Sequence, residues 1–228
     1  MSVQIMLKFS LLMKKLILAL LLLFSLSSCS ELSLFSARET DIPESGSVLF
    51  RDTFSSSESD WNTWNQDGSF VIYQADGIRF FIDKTNLDFW SKPGYQFQDV
   101  RIEVEAIKID GPDNNSYGVI CRMQDEKNFY AFVISSDGYA GVIKVEDGVY
   151  QLINNQSMEF APSVNQGRAI NNLSVICKGN QLSFDINGEN LFFISDDQFK
   201  VGDIGLIAGS FDEPGVDVFF DNLTVFQP

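Results

Sequence analysis

The chain has 228 residues, a net charge of −15 and no histidine. Such acidity repels nucleic-acid phosphates, whose binding is carried by Lys and Arg. The lack of histidine excludes Ser-His-Asp and Cys-His catalysis and every His-ligated zinc site, so any enzyme here has to work through carboxylates, Tyr, Lys or a bound cofactor.

In chain order, Met13-Lys14-Lys15 forms a basic head and residues 16–26 an almost unbroken apolar run, closed by Ser27-Ser28 before Cys29. This is the layout of a secretory signal over residues 1–28, and the run is too short for a membrane span of about 20 apolar residues. Met13 by itself would start such a signal. Leu26-Ser27-Ser28-Cys29 resembles the bacterial lipobox. The resemblance implies that Cys29 is acylated, palmitate included, and becomes the first mature residue of a membrane-anchored lipoprotein facing outside the cytoplasm. Cleavage there removes three lysines and no acid, moving the net charge from −15 to −18. Anionic lipid would repel that surface, which leaves the anchoring to the acyl chains. Residues 29–46, Ser/Glu-rich after the cysteine, read as a tether, and residues 47–228 as a single domain.

From residue 47 onward, short β segments alternate with turn clusters. Residues 48–54 suggest a first strand, and residues 69–73 and 77–82 a hairpin around Asp76-Gly77. Residues 100–109 alternate, with Val100, Ile102, Val104 and Ala106 on one face and Arg101, Glu103 and Glu105 on the other, the period of a half-buried strand. Residues 117–123, 129–135, 139–146 and 149–153 follow as an antiparallel meander punctuated by Asp137-Gly138 and Asp147-Gly148. Residues 172–178, 181–186 and 189–194 pair across Gly179-Asn180 and Asn187-Gly188, and residues 205–209 and 216–226 close the chain. One helical turn is expected near residues 196–200. About a dozen short strands argue an all-β, two-sheet antiparallel sandwich.

With Cys29 assigned to lipid, Cys121 and Cys177 remain as a pair in an oxidising compartment, each in a Val-Ile-Cys-basic string. They form a disulfide if their strands are neighbours or face each other; otherwise they are two buried thiols acting as small apolar residues. Glu103 and Glu105 share a strand face, with carboxyls roughly 5–8 Å apart, a spacing that overlaps glycosidase geometries. A solvated outer face shared with Arg101 is the alternative. Among the aromatics near turns (Trp61, Trp64, Trp90, Tyr95, Tyr117, Tyr130, Tyr139), Trp90 has the best claim to solvent. A flat ring beside a polar group can hold the apolar C–H face and hydroxyl rim of a sugar, and Asp88, Arg122, Asn128 and Asp137 are the polar companions considered. Most such rings belong to cores instead.

Residues 172–188 (Asn-Leu-Ser-Val-Ile-Cys-Lys-Gly-Asn-Gln-Leu-Ser-Phe-Asp-Ile-Asn-Gly) resemble the paired strands of concanavalin A-like jelly rolls. Residues 199–206, Pro214-Gly215 and residues 220–225 are similar to the C-terminal signature of laminin-G-like and 3-keto-disaccharide-hydrolase-like domains. The resemblance spans residues 47–228 and implies a jelly roll that often holds carbohydrate on its concave face and a structural calcium at its edge. It implies Asp52 and Asp221 as calcium ligands, if the first and last strands are adjacent. The glucanase motif Glu-x-Asp-x-x-Glu is absent, with Glu103-Val104-Glu105 its nearest relic. The expectation is a lipid-anchored module that binds a glycan without catalysis, with a carboxylate-based sugar hydrolase and a structural or protein-binding adhesion module as alternatives. No nucleic-acid partner is expected, and oligomeric state is left open.

Overall fold

The computed structural model describes residues 43–228. The expected signal segment, Cys29 and the expected tether up to residue 42 lie outside the described residues. The last residue of that tether, Gly46, is already bound to the domain, its N–H donating to the Gln227 carbonyl at 2.7 Å.

The described residues form strands β1 (Val48–Asp52), β2 (Trp64–Gln66), β3 (Ser69–Tyr73), β4 (Ile78–Ile82), β5 (Leu87–Ser91), β6 (Val100–Asp110), β7 (Asn115–Asp125) and β8 (Asn128–Ile134). They continue with β9 (Tyr139–Glu146), β10 (Val149–Leu152), β11 (Glu159–Phe160), β12 (Ile170–Lys178), β13 (Gln181–Ile186), β14 (Glu189–Ser195), β15 (Asp203–Ser210) and β16 (Val216–Phe226). A nine-stranded sheet runs β14-β13-β12-β6-β16-β4-β3-β2, with β1 added alongside β16. A seven-stranded sheet runs β10-β9-β8-β7-β15-β5, with β11 added alongside β9. All pairings are antiparallel, and the two sheets pack face to face as the expected sandwich.

The alternation in β6 works as the sequence suggests. Val100, Ile102, Val104 and Ala106 are buried in the intersheet core while Arg101, Glu103 and Glu105 stay half-exposed. Burying one such aliphatic side chain contributes about 1.5–3 kcal/mol. Strand β7 behaves differently, since all nine residues from Asn115 to Met123 are buried. Tyr117, Val119 and Cys121 face the intersheet core, whereas Ile120 and Met123 join a second apolar cluster with Phe129, Val133 and Ile207. The outer face of the seven-stranded sheet is therefore partly covered, with Trp90, Ile143 and Met158 packed over it.

Cys121 and Cys177 are joined by a disulfide across 56 residues of sequence, bridging β7 of one sheet to β12 of the other. The helical turn expected near residues 196–200 does not form. Asp196 accepts hydrogen bonds from the Tyr130 hydroxyl on β8, from Lys144 Nζ on β9 at 2.9 Å and from Gln198 N at 3.0 Å, which ties the segment to the sheet.

Candidate functional site

The outer face of the seven-stranded sheet carries a groove of about 670 Å³. Its floor follows from register. Asp88 on β5 pairs with Gly209 on β15, and Gly209 pairs in turn with Ser116 on β7. A Cβ at Gly209 would sit 1.9 Å from Asp88 Oδ1 and 2.6 Å from Ser116 Oγ. Glycine thus lets both polar side chains lean over the strand between them. Val133 and Ile143 extend the floor, and Tyr150 on β10 forms a wall.

The opposite wall is a loop folded back over β9. Asn154 fixes it, its Oδ1 accepting from Val142 N at 2.9 Å and its Nδ2 donating to Glu159 Oε1 at 2.9 Å. Gly141 gives the loop room, since a Cβ there would meet Leu152 Cδ2 at 2.8 Å. The loop presents Asn155, Gln156 and Met158 to the groove.

Asp88 is the chemically exposed point of this arrangement. Among the described residues no donor reaches its carboxylate, and burial raises its pKa to about 6. Burial, with the charge of Asp88, also raises the pKa of Tyr150.

Past Met158 and Phe211 lies a second hollow of about 420 Å³, lined by Asn86, Asp137, Tyr139 and Asp212. The turn that carries Asp137 and Tyr139 is held from below. Buried Asn115 accepts from Ser136 N at 3.0 Å through Oδ1 and donates Nδ2 to Ser136 Oγ at 2.9 Å. Asp137 Oδ1 is buried without a hydrogen-bond partner among the described residues. The Tyr139 ring, 41% exposed, meets Phe160 edge-on at 5.8 Å.

Of the residues singled out from sequence, Asp88, Asp137 and Tyr139 thus line these two adjoining hollows. Trp90 lies half-buried two residues from Asp88, packed on Phe129 at 6.1 Å, and does not line the groove. Arg122 is a correction. It is 1% exposed, at a bulge where its φ is 52°, and its guanidinium donates to the carbonyls of Gln98, Gly179 and Phe199 and to Asp99 Oδ1. The bulge turns the side chain inward to tie loops together, so it is not available to a ligand. Asn128 is a second correction. It braces the β7–β8 turn, donating to Asp125 at 2.9 Å and accepting from Asp147 N at 3.1 Å. Tyr117 and Tyr130 are fully buried.

Glu103 and Glu105 lie on the outer face of the other sheet. Arg101 donates to Glu103, Asn222 donates to Glu105 at 3.3 Å, and a polar groove of about 500 Å³ runs beside them. The implied calcium pair does not fit. Strands β1 and β16 are adjacent, but Asp52 pairs with core-facing Leu223, and its two oxygens accept from Phe54 N at 2.7 Å and Trp61 Nε1 at 2.9 Å. Asp221 instead sits opposite Glu105, where burial and the charges of Glu105 and Asp76 raise its pKa. The two carboxylates do not converge. Among the described residues no group of three or more Asp, Glu, Cys or His side chains could hold a metal ion.

Sequence reasoning missed Ser116, Tyr150 and Phe211. Ser116 and Phe211 are brought to the groove by contacts distant in sequence, and only Tyr150, placed by the local β9–β10 hairpin, carried any local signal.

No family model matches the chain, and no curated protein does. Solved structures do. The carbohydrate-binding module CBM66 from Bacillus subtilis superposes with a TM-score of 0.59 at 17% identity, over 73% of this chain and 94% of that one. A galectin-like protein of unknown function from Bacillus subtilis gives 0.60 at 14% identity, over 81% and 97%. A GH16 protein from a mixed-linkage glucan locus of Bacteroides ovatus gives 0.55 at 10% identity, over 78% and 100%. Likeness at these identities is likeness of architecture, and the chain has the jelly-roll sandwich fold that these proteins share.

Proposed function

We propose that this protein is a lipid-anchored, extracytoplasmic module that binds carbohydrate in the groove over β5, β15 and β7, without catalysis. The observation that carries the reading is the groove itself. An apolar floor, the Tyr150 ring and a row of polar groups led by Asp88 and Ser116 offer a sugar both a C–H surface and hydrogen-bond partners. The fold neighbours, a carbohydrate-binding module among them, add support. The lipobox-like Leu26-Ser27-Ser28-Cys29 supports the anchor and the location.

A glycan array probed with the full-length chain tests the ligand class. Binding that falls at least about tenfold in Asp88→Ala and Tyr150→Ala is expected, because each removes a contact to the bound sugar worth about 1.5–3 kcal/mol. Membrane partitioning that survives Cys29→Ala would overturn the anchor.

The second reading, a sugar hydrolase, draws on Glu103 and Glu105 beside their own polar groove. It predicts turnover of an oligosaccharide that Glu103→Gln or Glu105→Gln abolishes. Silence in both the array and the turnover assay would sink both readings and favour an adhesion module.

A further inference from the structure

The charge of the groove is one-sided. Asp88 lines it, Asp137 and Asp212 line the adjoining hollow, and among the described residues neither Lys nor Arg lines either. The titratable neighbours of Asp88 and the hollow beyond it are Tyr150, Tyr139 and the two further aspartates. Three other buried or half-buried carboxylates of the domain have partners. Asp217 takes Arg79 at 2.5 Å, Asp203 takes Lys92 at 3.4 Å together with three backbone N–H groups, and Asp196 takes Lys144. Asp88 has none among the described residues, and the space over Gly209 into which its oxygen leans opens to the groove. A desolvated carboxylate left without a donor is destabilising, and a ligand cation is the group that best offsets that cost. Tyr150, which also lines the groove, adds an aromatic ring, a group that attracts the same charge.

Building on the carbohydrate reading, we infer that the groove selects a glycan carrying a free amine, a hexosamine without its acetyl group, whose ammonium is seated between Asp88, Ser116 and the Tyr150 ring. A neutral sugar offers Asp88 only hydroxyl donors. An N-acetylated sugar replaces the cation with a bulkier amide. A uronic acid brings a second negative charge into a site where no cation among the described residues receives it.

The test is calorimetric titration of the full-length chain with a glucosamine trimer, its fully N-acetylated counterpart, cellotriose and a trigalacturonate. The glucosamine trimer is expected to bind at least about tenfold more tightly than the two neutral trimers, since hydrogen bonds to charged groups exceed neutral ones by that margin, and the trigalacturonate not at all. Asp88→Asn should erase the preference while keeping the weaker affinity common to the neutral trimers, which also shows that the variant is folded. In the wild type, the glucosamine affinity should fall on the acid side as Asp88 takes up a proton and on the alkaline side as the amine loses one. The acid limb should vanish in Asp88→Asn. Equal affinity for the glucosamine and neutral trimers would overturn the amine preference and leave carbohydrate binding standing. A preference that persists in Asp88→Asn would overturn the role of this carboxylate. A lysine-rich peptide binding as tightly as the glucosamine trimer, with the same dependence on Asp88, would overturn the sugar as the source of the cation. Binding of none of the trimers would overturn the inference, while the glycan array separately decides whether the carbohydrate reading falls with it.

Discussion

Two charged residues, Asp88 and Arg122, were equal candidates by type, yet their surroundings give them opposite roles. Arg122 is sealed in, with four hydrogen bonds to three backbone carbonyls and Asp99. Arg122→Met should cost about 3–5 kcal/mol in urea-induced unfolding, because the carbonyls and the Asp99 charge lose their partner together. Asp88 has a folded-state pKa near 6 against an ordinary 3.8, so the folded protein binds the proton more tightly than the unfolded chain. Its protonated form favours folding below the ordinary value, and that contribution is lost as pH rises through about 6. Asp88→Asn should therefore raise stability at pH 7 by about 1–3 kcal/mol, with a gain that shrinks between pH 6 and pH 4. Thermal melts across that range check it, and a variant no more stable than wild type at pH 7 would contradict the burial of this carboxylate. A residue kept at such a cost to the fold fits a role in binding.

At the scale of elements, the groove exists because β15 lies between β5 and β7 and carries glycine where the neighbouring side chains need room. A Cβ at Gly209 would meet the mobile tips of Asp88 and Ser116 rather than backbone. Gly209→Ala should consequently change stability by less than about 1 kcal/mol, the entropic gain of alanine offsetting a small shift of those tips. The same substitution should weaken ligand binding about tenfold, since Asp88 is pushed out of its seat. Comparing chemical denaturation with ligand titration separates the two effects, and a variant that keeps wild-type affinity would mean that Asp88 does not need this seat. Element boundaries were legible wherever the period was strong. Strand β16 begins and ends where alternation and turn residues place it, as do β9 and β13. Strands β2, β5 and β11 went unread, being two to five residues long with too few apolar positions to display a period.

At the scale of the molecule, the Cys121–Cys177 disulfide is a covalent tie between the two sheets. Closing a loop of this length restricts the unfolded chain, so replacing both cysteines with alanine should lower the unfolding free energy by roughly 2–4 kcal/mol. Denaturation curves of the two forms test this, and coincident midpoints would assign the bridge a role other than stability. With the core continuous across both sheets, the variant should still unfold in one step.

By itself the sequence determined the all-β class, most strand limits and the two-sheet layout, because side-chain period and turn chemistry are local properties that each segment carries with it. It also supplied the export and lipid expectations for residues 1–29, which rest on sequence alone. Only the tertiary structure decided the site. Residues 88, 116, 150 and 209 meet because distant strands pair in a particular register, and no local pattern encodes which strand lies beside which. It decided likewise that Arg122 turns inward, since one bulged residue reverses the face that simple alternation would assign. It also separated Asp52 from Asp221, since adjacent strands can still send their carboxylates to opposite faces of one sheet.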